Sequence, residues 1–177
     1  MVNRYSEVSI SLIIDLIMTA IKVNISKQLL QYFDQHNALV AEYPVSTSMF
    51  GAGNQSGSFK TPLGHHQICE KIGQKMPADE VFIGRQPQGR LSEIAGRGAD
   101  LPEDTITARI LRLTGLEEGV NKGDGIDSFE RYIYIHGTAD EDNIASPVSH
   151  GCVRMRNDDI IELFDKVDVN TDVWIEE

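Results

Sequence analysis

Two residues stand where they could do chemistry together. Cys152 lies in the run Ser149-His150-Gly151-Cys152-Val153-Arg154-Met155, and His136 lies upstream, near the end of Ile133-Tyr134-Ile135-His136-Gly137. A thiol is a weak nucleophile at neutral pH until a base takes its proton or oriented dipoles hold the thiolate. Gly151 allows a sharp turn before the cysteine and lets a substrate approach the main chain. Consecutive backbone N–H groups in such a turn can converge on one point as an oxyanion hole. His136 is the candidate general base, provided its tautomer presents a lone pair to the thiol. No acid is evidently placed to orient the ring, so the Gly137 carbonyl is the candidate orienter. Taken singly, each residue has a plainer reading: a cysteine packed in the core, a histidine satisfied by hydrogen bonds. Zinc on Cys152, His150 and His136 is a third reading. It ranks below the nucleophile, because zinc favours four ligands at recognisable spacing and neither CxxC nor HExxH accompanies these three. No metal and no cofactor is expected.

The elements that must position this pair read as mainly β with a few short helices. Period-two patterning marks strands near 21–25, 28–33 and 38–45, an antiparallel meander. Short strands follow at 65–70 and 80–84. Residues 106–114 alternate as a half-buried strand, and 129–136 form a strand with Tyr132, Tyr134 and His136 on one side. Asn157 is expected to cap a helix that carries Ile160, Ile161, Leu163, Phe164 and Val167 at helical spacing, with Asp158 and Asp159 suiting its first turn. A last strand runs over 171–175. The segments 46–62 and 85–103 read as long loops, of the kind that often bind or cover a site. The glycines of 51–57 superficially suggest a nucleotide loop. Their spacing is wrong, and Pro62 follows where that motif needs a helix.

The chain has 177 residues and a formal net charge of −11, with 41% hydrophobic and 24% charged residues. That length suits one core. The negative charge argues against nucleic acid and against an anionic membrane surface. Of the two cysteines, Cys69 reads as a small buried hydrophobe, and two do not make a disulfide scaffold. Residues 10–21 are apolar but interrupted by Asp15, with only Arg4 as a positive flank. They read as an amphipathic helix over the N-terminal segment 1–20, packed on a single domain spanning 21–177, and not as a signal or a membrane span. His65-His66 near Cys69 read as strand histidines, and Asp140-Glu141-Asp142 as a solvated loop that could also steer a cationic amine.

The motifs together carry a resemblance. His136-Gly137-Thr138, then Ser149-His150-Gly151-Cys152-Val153-Arg154-Met155, resembles the signature of the L,D-transpeptidase catalytic (YkuD) family. Tyr43-Pro44-Val45-Ser46-Thr47-Ser48 is similar to that family's strand before its first active-site loop, and Lys60-Thr61-Pro62-Leu63-Gly64 to its T-P-x-G turn. Asn157 and Asp158 continue the match. The resemblance implies a mixed β-sheet sandwich and a cysteine acyl-enzyme on peptidoglycan tetrapeptide stems. It implies that Cys152 attacks the carbonyl of the third stem residue and expels the terminal D-alanine. It also implies that His136 moves the proton, that backbone N–H groups around His150, Gly151 and Cys152 hold the oxyanion, and that a carbapenem acylates this thiol. Arg154 is the candidate grip for a substrate carboxylate, and a structural ion pair is the open alternative. Ser149 either touches substrate or braces the turn. His150 shapes the pocket.

An acyl-enzyme can meet an amine, giving a 3→3 cross-link, or water, giving a tripeptide. With no persuasive export signal the sequence leans to a cytoplasmic L,D-carboxypeptidase trimming soluble muropeptides. If Met1 is not the native start, a periplasmic transpeptidase is the alternative. A catalytically silent muropeptide-binding module is the reading from another class, and the intact Cys152 and His136 oppose it. Oligomeric state is not legible.

Overall fold

The computed structural model describes residues 19–98, 101–102 and 104–177. The expected N-terminal helix falls almost wholly outside them, and its last two positions, Ala20 and Ile21, belong to the first strand.

Ten strands form one mixed sheet. They are β1 (Ala20–Asn24), β2 (Leu29–Phe33), β3 (Leu39–Pro44), β4 (Gly64–Ile72), β5 (Glu80–Ile83), β6 (Gln86–Arg90), β7 (Ile106–Gly115), β8 (Tyr134–Thr138), β9 (Val153–Met155) and β10 (Asp172–Glu176). The helices are α1 (Leu91–Gly96) and α2 (Asn157–Lys166), with a 3-10 turn at Glu141–Asn143. The main order is β3-β2-β1-β10-β4-β7-β5-β6, and β8 and β9 branch from β7. Two pairings are parallel, β1 with β10 and β8 with β9. The sheet curls until Arg154 on β9 exchanges two backbone bonds with Ser46, just past β3, at 2.9 and 2.8 Å. That bridge brings the 46–62 segment against the cysteine turn.

The inner surface is built by alternation where the sequence shows it. Ile21 and Val23 of β1, Leu30 and Tyr32 of β2, and Val173 and Ile175 of β10 are buried together. Helix α2 adds Ile160, Leu163 and Phe164 to that cluster. Lys71 of β4 fixes the end of α2, its Nζ donating to the carbonyls of Phe164 and Val167 at 2.7 and 2.5 Å. A cation there also suits the helix dipole.

Several expectations are corrected. β7 is buried along nearly its whole length rather than half-buried. It sits between β4 and β5 on one edge and β8 on the other, with α2 packed against it, so the faces of this strand are covered. A register shift lies between its Thr107 and Ile110, and Ala108 there takes a left-handed φ of 62°. Residues 129–132 are turn, and the strand toward His136 begins only at Tyr134. The expected loop 85–103 contains β6 and α1. Asn157 is the first helical residue rather than the cap, and Arg156 stands at the cap without a side-chain bond. The Asn157 amide instead bonds Thr107 Oγ1 (2.6 Å) and the Thr138 carbonyl (3.3 Å). Its N–H donates to Glu141 Oε1 at 2.6 Å, a carboxylate at a helix N-terminus.

Candidate active site

Parallel strands β8 and β9 set His136 opposite Arg154, which places Cys152 at the entrance to β9 beside the histidine strand. The turn before it braces itself. Ser149 Oγ donates to the Cys152 carbonyl at 2.6 Å and accepts from the Gly151 N–H at 3.2 Å. Ser149 is fully buried. Its hydroxyl is engaged inside the turn, the bracing arrangement that the sequence left open beside substrate contact. The expected trio of oxyanion donors is reduced for the same reason. Gly151 N–H is engaged, leaving those of His150 and Cys152 outside the turn's own bonds. Gly151 has φ 128°, where a side chain is strained, and a Cβ would lie 3.3 Å from the Lys60 carbonyl.

His136 is 2% exposed, and its Nδ1 lies 2.7 Å from the Gly137 carbonyl oxygen. A carbonyl only accepts, so the proton sits on Nδ1 and Nε2 keeps its lone pair. Gly137 is required by space. A Cβ there would lie 2.6 Å from the Thr107 carbonyl oxygen and would also run into Asn157 Oδ1. The thiol of Cys152 donates to the Tyr132 carbonyl and accepts from the Tyr134 N–H, both at 3.4 Å. Cys152 and His136 share a cleft of about 210 Å³ with Asp104, Ile106, Tyr132, Tyr134 and His150. Burial pushes the thiol up to about 11, against smaller opposing effects of the Tyr134 N–H and the Arg131 charge. Burial also pushes His136 down to about 4, opposed by the Gly137 carbonyl. Both shifts favour the uncharged forms, a thiol and a neutral imidazole.

Arg154 is placed differently from the expectation. It is 3% exposed, and its guanidinium bonds the Asp104 carboxylate and lies 3.7 Å from Asp140 Oδ2. The same Asp104 carboxylate bonds His150 Nδ1. The structural ion pair is therefore the arrangement found: two acids of the chain itself already hold the charge meant to grip a substrate carboxylate. Sequence reasoning missed Asp104, an acid at the end of a Gly- and Pro-rich stretch with no motif around it. It also missed the aromatic rim. Phe50 and Phe59, each about half exposed, pack with the His150 ring at centroid distances near 6 Å. Two further clefts meet at His150. One, of about 390 Å³, adds Met49, Asp140, Val148 and Arg154; the other, of about 240 Å³, adds Ser56, Phe59, Glu130 and Arg131. Among the described residues no group of three or more His, Cys, Asp or Glu side chains is gathered to hold a metal ion, and no helix is long and apolar enough to cross a membrane.

Comparison with known proteins follows the same lines. Residues 18–175 match the YkuD family, the L,D-transpeptidase catalytic domain. A putative L,D-transpeptidase of Bacillus subtilis, YqjB, is 46% identical over 41 residues, 23% of this chain and 23% of that protein. The probable L,D-transpeptidase YbiS of Escherichia coli is 56% identical over 43 residues, 24% of this chain and 14% of that protein. These matches thus span about a quarter or less of the curated relatives. An L,D-transpeptidase from Mycobacterium smegmatis superposes with TM-score 0.53 at 14% identity, over 90% of this chain and 59% of that one. L,D-transpeptidase 3 of Mycobacterium tuberculosis, solved with a faropenem-derived adduct, gives 0.54 at 15% identity, over 90% and 60%. At such identities the likeness speaks to the fold: a mainly β, curled mixed sheet with short helices.

Proposed function

The chain belongs to the L,D-transpeptidase catalytic domain family, and from that premise we propose that Cys152 takes an acyl group from a peptidoglycan tetrapeptide stem and passes it to an amine. His136 Nε2 accepts the thiol proton as Sγ attacks the carbonyl of the third stem residue. The N–H groups of His150 and Cys152 stabilise the resulting oxyanion. The C–N bond to the terminal D-alanine breaks, and the imidazolium returns the proton to the departing amine. An incoming amine attacks the thioester, loses its proton to His136, and the thiol is restored. Arg154 and Ser149 build the site without touching substrate.

The observation that carries this reading is Cys152 and His136 lining one cleft, with the Gly137 carbonyl setting the ring's tautomer. The choice of an amine over water is supported by the additional clefts meeting at His150, which leave room for an acceptor beside the thioester. The lean toward a carboxypeptidase rests on the N-terminal stretch, outside the described residues. Hydrolysis remains the fate of any acyl-enzyme that meets no acceptor. Mass spectrometry of purified protein with disaccharide-tetrapeptide tests both. A 3→3 dimer with free D-alanine is expected, and tripeptide alone would assign the enzyme to hydrolysis. Turnover unchanged in Cys152→Ala would sink the cysteine mechanism, and binding of the tetrapeptide without turnover by the wild type would leave the binding-module reading.

A further inference from the structure

With Arg154 held by Asp104 and Asp140, the cleft needs another cation for the carboxylates of a peptide donor, and all the more in a chain of net charge −11. Three arginines lie beside the Cys152 cleft without lining it, two against Tyr132 and one in the neighbouring cleft. Arg131 donates to the carbonyls of Gly53, Asn54 and Lys60, tying down the 46–62 segment. Arg112 is buried, lies 3.6 Å from the Phe129 ring centre and faces Glu70 at 3.6 Å. Arg85 differs from both, because its guanidinium neither ties down a backbone carbonyl, as Arg131 does, nor pairs with a described carboxylate, as Arg112 does. Its Nη1 donates to the Tyr134 hydroxyl at 3.0 Å, and its guanidinium stands 5.4 Å from the Tyr132 ring centre. Both tyrosines line the cysteine cleft, and their backbone atoms are the ones that touch Sγ.

Arg85 is held there by an uncommon backbone. The β5–β6 hairpin turns on Gly84 and Arg85, with φ 55° and 67°. Two-residue hairpin turns of this hand favour Asn-Gly or Gly-Gly, and a long side chain rarely takes the second place. A strained residue directed at a cleft invites a functional reading. A groove of about 200 Å³ along this hairpin, lined by Val81, Phe82, Leu101 and Pro102, shares Asp104 and Ile106 with the cysteine cleft. A peptide leaving the cysteine in this direction passes the hairpin tip.

We infer that Arg85 binds a free carboxylate of the peptide donor, its guanidinium fixed by the Tyr134 hydroxyl and the Tyr132 ring. This deepens the acyl-transfer reading above and rests on it for the identity of the donor. The carboxylate belongs to the terminal D-alanine, to the γ-linked glutamate or to the diaminopimelyl side chain, and each offers the same fork-shaped acceptor to a guanidinium.

Calorimetric titration of the Cys152→Ala variant with four synthetic peptides separates them. The peptides are L-Ala-γ-D-Glu-diaminopimelyl-D-Ala, its C-terminal amide, its glutamate α-amide and its diaminopimelyl side-chain amide. One of the three amides is expected to bind roughly tenfold or more weakly than the acid. Adding Arg85→Gln, which keeps a donor for Tyr134, should make that amide and the acid bind alike, and Arg85→Lys should restore part of the preference. No acid preference in Cys152→Ala, undetectable binding included, or a preference kept in full with Arg85→Gln, would overturn the assignment. Intact mass of the wild-type protein with the acid peptide reads the other claim. An acid preference without acylation or turnover would remove the acyl-transfer reading and leave Arg85, and turnover without the preference would do the reverse.

Discussion

Alkylation of Cys152 across pH is the sharpest test of the neutral pair. With its thiol pushed up to about 11 by burial, the thiolate fraction at pH 7.5 is on the order of 3 in 10,000. An ordinary thiol with a pKa near 8.5 would be about one-tenth ionised, so the population falls roughly 300-fold. The more basic thiolate is intrinsically more nucleophilic, which recovers about tenfold over 2.5 units. The net expectation is iodoacetamide modification about 30-fold slower than that of an unperturbed cysteine. Cys69 is the only other thiol, so a Cys69→Ala background isolates the signal. Intact mass then gives a pseudo-first-order rate from pH 6 to 10.5. The rate should climb about tenfold per pH unit with no plateau. His136→Ala should leave that slope alone, because a neutral imidazole lends the thiol no charge. A plateau beginning near pH 6 or 7 and abolished by His136→Ala would refute the reasoning, since it would mean a thiolate–imidazolium pair.

Two further outcomes are expected. Burial holds both His136 and His66 down to about 4, so each binds a proton in the unfolded chain before it does in the folded one. Stability should be full above about pH 6.5 and should fall as pH drops toward 4, by up to roughly 3 kcal/mol per histidine. Urea unfolding at stepped pH reads this, and a flat midpoint over that window would contradict it. Gly137→Ala should cost about 1–3 kcal/mol through overpacking against the Thr107 carbonyl, and should lower acyl-enzyme yield by moving the carbonyl that orients His136. Urea midpoints and intact mass with a tetrapeptide check it. Wild-type stability with wild-type acylation would show the strand absorbing a methyl group that the geometry says it cannot.

Much of the sheet was legible because its strands alternate against a single core, as Ile21 with Val23 and Val173 with Ile175 do. The β7 strand misled because both its faces are covered, which removes the contrast that alternation depends on. The second strand of the hairpin that carries Arg85, β6, reads as loop because Pro87 and Gly89 mark breaks, and nothing local reveals that β5 offers an edge for it to pair with. At the site, the cysteine turn and the upstream histidine were legible from residue types at close spacing. Asp104 was not, because its importance lies in partners about 50 residues away, His150 and Arg154, that only the curled sheet brings to it. The fate of Arg154 followed from the same gap. A guanidinium announces that it will meet a carboxylate, but not whose.

The parallel pairing of β1 with β10 joins segments about 150 residues apart in the chain, near the middle of the sheet's strand order. Contacts of such high sequence separation form slowly and late. On a ribosome the β1–β3 meander and the cysteine turn both emerge before the strand that joins the meander to β4. The packing that keeps Cys152 protonated belongs to the closed sheet, so a nascent thiol keeps the ordinary reactivity of a free cysteine. Oxidative loss of this nucleophile should therefore concentrate in the minutes of synthesis and maturation and largely spare the finished enzyme. A pulse of oxidant given during translation should do more harm than the same pulse given afterwards.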